Sequence, residues 1–189
     1  PVRKFLDSVA EGYGINLVPL ATFAMETYKE DDCKEFLPKL SGGAAAMDEK
    51  TQRLTSQMHK AIAVIQFKLE SQLFKKHPEW KMKDRCLFDH IDYRKGKVEI
   101  DGKEYDMTSC HFPTIDPDNP DKLSEEEEIL IQKLHHSFMV CEKLHKHIKV
   151  MLQHGCMYAI FNNNLLFHAS CPLNEDGSLK EVEIYPGKK

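Results

Sequence analysis

From Asp48 to His77 the sequence keeps one apolar period without a break. Leu54, Met58, Ala61, Ile62, Ile65, Leu69 and Leu73 recur at steps of three and four, the signature of one helix face. Pro78 cannot continue the helix and ends it. A second run begins at Ser124, whose hydroxyl can cap a helix while Glu127 reaches back, a capping box. Glu125 to Glu128 suit the positive end of its dipole. Leu130, Leu134, Cys141, Leu144, Ile148 and Met151 line its apolar face, and Gly155 supplies the stop. Two amphipathic helices of this length must cover each other's stripes, so the sequence predicts a long antiparallel pair.

Shorter elements surround that pair. Asn16 can cap a helix from Leu17 to about Tyr28, with Pro19 in its first turn. Short helices are expected over Asp31–Leu37, stopped by Pro38, and through Leu87, Phe88 and Ile91. Val98-Glu99-Ile100 and Lys103-Glu104-Tyr105 flank Asp101-Gly102, which supplies the two positive-φ positions of a tight hairpin turn. Three prolines keep Phe112–Pro120 an ordered loop. Met157–Phe161 and Leu165–His168 read as strands joined by Asn162-Asn163-Asn164, and asparagine tolerates left-handed backbone angles. The fold class is therefore α+β and helix-rich: two long antiparallel helices with small β-hairpins. Its expected divisions are an N-terminal helical segment (1–40) and a flexible linker (41–47, Ser41-Gly42-Gly43-Ala44 onward). Residues 48–123 follow with long helix, short helix, hairpin and loop, and residues 124–189 carry the second helix and strand pair.

Charge and composition exclude several functions. With 26 Lys and Arg against 30 Asp and Glu, the 189-residue chain is weakly acidic. It lacks the basic face of a nucleic-acid binder, and its ten Phe, six Tyr and one Trp form no stacking platform. No apolar run approaches the roughly 20 residues of a membrane span. The six cysteines are scattered without a C-x-x-C pair. They read as thiols of a reducing compartment, the cytoplasm, rather than zinc ligands or disulfides. The chain begins at Pro1 rather than Met, read here as the edge of a cut from a longer chain.

Ten histidines raise the question of metal binding. His145 and His147 stand about 200° apart on a helix and His135 and His136 about 100° apart, so neither pair chelates one ion unaided. His59, His77, His90, His111 and His154 have no ligand spacing. His168 differs, because it closes an apolar strand just before the turn through Ala169, Ser170, Cys171 and Pro172. Strand ends deliver side chains accurately into a crevice.

His168 also falls in a longer pattern. It includes Tyr13-Gly14-Ile15-Asn16-Leu17-Val18-Pro19-Leu20-Ala21, Ser56-Gln57-Met58-His59-Lys60-Ala61-Ile62-Ala63 and Gln66-Phe67-Lys68-Leu69-Glu70. Phe112-Pro113-Thr114-Ile115-Asp116-Pro117 and Glu142-Lys143-Leu144-His145-Lys146-His147-Ile148 continue it. It closes with Met157-Tyr158, Asn164-Leu165-Leu166-Phe167-His168 and Pro172-Leu173-Asn174-Glu175-Asp176-Gly177. In these segments the chain resembles the bacterial class III fructose-1,6-bisphosphatases, of the calcineurin-like dinuclear-metal phosphoesterase superfamily.

That resemblance implies an α/β metallophosphoesterase fold in the full-length protein and a phosphatase acting on a sugar bisphosphate in gluconeogenesis. It implies two divalent ions, manganese by expectation, whose bound hydroxide attacks phosphorus. The ligand motifs are D-x-H, G-D-x-x-D, G-N-H-[DE], a lone His before a small residue, and G-H-x-H. Only the lone His is present, as His168, and Ala169 follows it where relatives commonly carry Gly. No catalytic residue of the other motifs occurs here, so the chain reads as a central fragment, inactive alone. Lys143, Lys146 and His147, with Lys149 nearby, share one helix face and could hold the phosphate that is not hydrolysed; complementing the helix dipole explains them without any ligand. The alternative function is a helical oligomerisation or regulatory module of such an enzyme, binding a partner or effector, with homo-oligomer formation left open.

Overall fold

A computed structural model describes residues 2–31, 33–37, 48–156, 158–168, 170, 172–181 and 187, with side chains from residue 8 onward. The linker expected at 41–47 and the stop at Pro38 lie outside them. The chain divides into two compact units, Pro1–Val140 and Cys141–Lys189.

The first unit is organised by the long helix the apolar period predicts. With α1 (Val2–Tyr13), α2 (Val18–Thr27) and α3 (Glu49–Lys76) named in order, α3 is its axis. Asp48 caps α3 by accepting a hydrogen bond from the Thr51 N–H, 3.0 Å. α1 and α2 pack against it. Asn16 Oδ1 accepts from the Val18 N–H at 2.9 Å, so it closes the turn entering α2 while Leu17 occupies the cap position itself. The core gathers Leu20, Phe23, Ala24 and Tyr28 from the α2 region with Met58, Ala61, Ile62 and Ile65 of α3. Leu130 and Leu134 of α4 (Glu125–Met139) complete it.

α3 is buried on more than its apolar stripe. Ser56, Gln57, Lys60, Val64, Lys68 and Ser71 are buried as well, whereas Leu69 and Leu73 are exposed. Small elements cover the C-terminal half. There β1 (Ile91–Asp92), β2 (Lys97–Ile100) and β3 (Lys103–Asp106) form an antiparallel sheet in that order. The β2–β3 turn has Asp101 at φ 51° and Gly102 at φ 73°, as the Asp-Gly pair requires. Phe88 meets Phe67 and Phe112 edge-on at 5.9 and 5.8 Å, pinning this region to α3.

Three expectations are corrected. The helices expected over Asp31–Leu37 and through Leu87–Ile91 are 3₁₀ turns at Lys34–Phe36, Lys83–Arg85 and Leu87–His90, and Ile91 enters a strand. Their N–H groups bond three residues back, which turns the chain quickly enough to bury Cys86 and Phe88. The second long helix is not continuous: α4 ends at Met139 and α5 (Glu142–His154) starts afresh after Cys141, whose ψ of 98° is extended. Valine and cysteine are weak helix formers, and one extended residue suffices to stop the ladder. The long antiparallel pair is thus one long helix, covered mainly by α1 and α2, and a broken one. The capping box itself is present: Ser124 Oγ accepts from Glu127 N–H and Glu127 Oε2 accepts from Ser124 N–H.

In the second unit Ile148 and Met151 of α5 are exposed rather than core. α5 ends at Gly155, whose φ of −71° is ordinary. Glycine is needed there for another reason, since a Cβ would lie 2.3 Å from the Met151 carbonyl oxygen. β4 (Tyr158–Phe161) and β5 (Asn164–Phe167) pair antiparallel across a turn with Asn162 at φ 48° and Asn163 at φ 59°. Helix-rich α+β thus describes the chain.

Candidate functional site

His168 follows β5 directly and is exposed. Its strand pair is apolar on both faces. Tyr158 opposite Phe167 and Ile160 opposite Leu165 make one face; Phe161 and Leu166 belong to the other. All six large side chains are about half or more exposed. Strands with two apolar faces are those a larger sheet buries on both sides.

Lys143, Lys146 and His147 lie on α5, three and four residues apart and so on one face. All three are exposed. His168 stands on a different element, beyond β5. Among the described residues no three His, Cys, Asp or Glu side chains come together as a metal would require, so His168 is not part of a complete metal site formed by them. Ala169, whose methyl replaces the expected Gly hydrogen, is outside the described residues.

The most elaborate polar constellation lies in the first unit, where sequence reasoning placed none. Asp31 is its hub. Its Oδ1 accepts from the Cys33 N–H at 2.8 Å, and its Oδ2 accepts from Lys60 Nζ at 2.7 Å and His111 Nδ1 at 3.0 Å. Burial alone would raise this carboxyl's pKa, but the hydrogen bonds from Lys60, Cys33 and His111, with the Lys60 charge, hold it below the usual carboxylate range. The Lys60 ammonium also lies 5.2–5.8 Å from the ring centres of Tyr28, Phe36 and Phe112, an aromatic enclosure that favours a cation. Gln57 Nε2 donates to the carbonyls of Tyr28 and Asp31, and His59 Nδ1 donates to that of Phe36.

Two turns along α3, Lys68 donates to Glu127 Oε2 at 2.8 Å and to the Thr114 carbonyl at 2.6 Å. Both charges are buried, at 0% and 1% exposure. Burial pushes the nearby Tyr28 phenol pKa up, and the charges of Glu127, Cys33 and Asp31 add to the shift. Together the two lysines fasten the 28–36 turn, the proline loop and α4 to one helix. Their signal was available in the sequence: Lys60, Val64 and Lys68 repeat at steps of four, and Lys68 falls three residues after Ile65, inside the apolar stripe.

The arrangement therefore defines a helix-rich α+β chain whose first unit is a charge-stapled scaffold and whose second presents a lone histidine after an apolar hairpin. Residues 3–189 match the family described as Firmicute fructose-1,6-bisphosphatase. The chain belongs to that family. It is 54% identical over 177 residues to the protein named fructose-1,6-bisphosphatase class 3 of Parabacteroides distasonis, covering 94% of this chain and 27% of that protein. The proteins of the same name from Bacteroides thetaiotaomicron and Clostridium novyi are each 50% identical over 188 and 187 residues, covering 97% of this chain and 28% of theirs. The chain thus spans little more than a quarter of the length of these relatives. No solved structure matches it.

Proposed function

We propose that this chain is a segment of a metal-dependent sugar phosphatase that hydrolyses fructose 1,6-bisphosphate to fructose 6-phosphate and phosphate, a step of gluconeogenesis. The observation that carries the reading is the 54% identity, over nearly the whole chain, to a protein bearing that name. In the complete enzyme His168 supplies one ligand to a divalent metal centre, with manganese the ion that the family resemblance implies. The remaining ligands come from polypeptide outside the described residues, within a metallophosphoesterase fold. Lys143, Lys146 and His147 hold the phosphate that is not cleaved.

The scattered cysteines, without a C-x-x-C pair, support a reducing compartment, the cytoplasm, as the place where the enzyme works. A second reading, the interaction module, is favoured by one observation: both faces of the β4–β5 hairpin and Val150, Met151 and Leu152 of α5 are apolar and exposed. Such surfaces are covered by protein in a stable assembly, whether the rest of the enzyme or another copy in a homo-oligomer.

The 189-residue chain with Mn²⁺ is expected to release no phosphate from fructose 1,6-bisphosphate. Metal-dependent release that His168→Ala abolishes would overturn the placement of the other ligands. In a full-length protein carrying this segment, His168→Ala is expected to lower kcat by about two orders of magnitude or more. Lys146→Ala is expected to raise KM there. Undiminished kcat, or unchanged KM, sinks the respective role.

A further inference from the structure

Between α2 and α4 runs an open groove of about 620 Å³, which continues along α4 into a second of about 450 Å³. Pro19, Phe23, Leu130 and Leu134 give it an apolar lining. Val18 and Ile129 add two apolar side chains that are 65% and 50% exposed. The two ends of the groove carry opposite charge. Glu26, near the end of α2, and Glu126, in the first turn of α4, belong to the first part alone. Asn16 and Pro19, from the start of α2, share the other end with Lys133 and His136 of α4. Glu126 and Lys133 are seven residues apart in one helix, about 10 Å along its axis. Glu26 and Lys133 are exposed, and among the described residues neither forms an ion pair.

Charges so far apart and so exposed do not converge on one small molecule, as a ligand pocket requires. An apolar centre with charges at its rim is the anatomy of a protein interface. The polarity of the groove then selects the partner. After a two-fold rotation, a second copy lays the same face antiparallel on the first. The carboxylates of each copy then meet Lys133 and His136 of the other. Ile129 lies midway between Glu126 and Lys133, so it stands near the axis and meets its own counterpart. A face that is complementary to itself is what an isologous contact demands. A groove of one sign throughout would repel its own copy.

We propose that the groove between α2 and α4 docks a second copy of this chain in a two-fold dimer. Val18 and Ile129 make its apolar contact, and two symmetry-related Glu26–Lys133 pairs fix its register. The surface is independent of the phosphatase reading and of the exposed β4–β5 hairpin, since it lies wholly in the first unit.

Exchanging the charges tests it, read by sedimentation velocity on the 189-residue chain and on a full-length protein carrying it. Both should self-associate. By symmetry, Glu26→Lys or Lys133→Glu puts two like-charged contacts into the dimer, which should raise its Kd by about 100-fold. The two variants mixed in equal amounts should dimerise again, because each supplies the charge that the other lost. The double variant should dimerise as well. Ile129→Lys, at an exposed position, should abolish the dimer by bringing two ammonium groups together at the axis, with circular dichroism showing that the variant is folded. Single variants that associate as the unmodified chain does put the contact elsewhere, for instance on the hairpin, and overturn the proposal. A mixture no more associated than its two components overturns it too. So does a full-length protein that stays monomeric, which would mean that its own remaining polypeptide covers the groove.

Discussion

The ion pair between Lys68 and Glu127 is the most deeply buried salt bridge among the described residues. Its charges are 2.8 Å apart and almost wholly removed from solvent. Each has only one further polar anchor on that side, the Thr114 carbonyl for Lys68 and the Ser124 N–H for Glu127. Removing one partner leaves the other charge buried and uncompensated, which costs about 3–5 kcal/mol. A domain's whole stability is about 5–15 kcal/mol, so either single change should bring the first unit close to unfolding. Glu127→Gln is the cleaner variant, because glutamine still serves the capping box. Lys68→Met keeps the length and apolar stem. The double variant removes both charges and should cost less than the sum of the singles by about 3 kcal/mol. Urea unfolding at neutral pH measures this through Trp80, the only tryptophan, which stacks on His77 at the end of α3. Single variants within about 1 kcal/mol of the unmodified chain would refute the reasoning, as would strict additivity, since either result means the pair is solvated or uncoupled.

Two further outcomes follow from particular contacts. Asp31 has its pKa held below the ordinary carboxylate range in the folded chain, so the unfolded state binds the proton more readily. Its stabilisation is fully present above the unfolded carboxyl pKa near about 4 and fades as pH falls through the lower folded value. Asp31→Asn should therefore destabilise by roughly 2 kcal/mol at neutral pH and flatten the acid limb; urea midpoints from pH 7 to 2 check this, and parallel curves would contradict it. Gly155→Ala forces a methyl onto the Met151 carbonyl oxygen. It should fray the end of α5 and cost about 1–3 kcal/mol, seen as faster amide exchange over the last turn; an unchanged exchange pattern argues against the clash.

Much of this architecture was readable from spacing because the forces concerned are local. The α3 stripe, the Ser124–Glu127 capping box, the Asp101-Gly102 turn and the Asn162-Asn163 turn each depend on residues within about four positions of one another. The break after Met139 was not readable, because neither glycine nor proline marks it and the apolar period continues across it in sequence. Nor were the 3₁₀ turns, two of which flank Cys86 and the second of which holds Phe88, both residues buried. His168 stands out in the sequence by its pattern, whereas Asp31, Lys60 and His111 are 29 and 51 residues apart in the chain and no periodicity connects them.

The sequence by itself determined where helices begin, where two hairpins turn, and to which family the segment belongs. Each of these is written in adjacent residues or in long runs of matching ones. Only the tertiary structure decided which charges are buried. Lys60 and Lys68 read as ordinary helix lysines until packing removes water from around them, and at that point each must find a carboxylate from a distant element. The partners, Asp31 and Glu127, are selected by that desolvation.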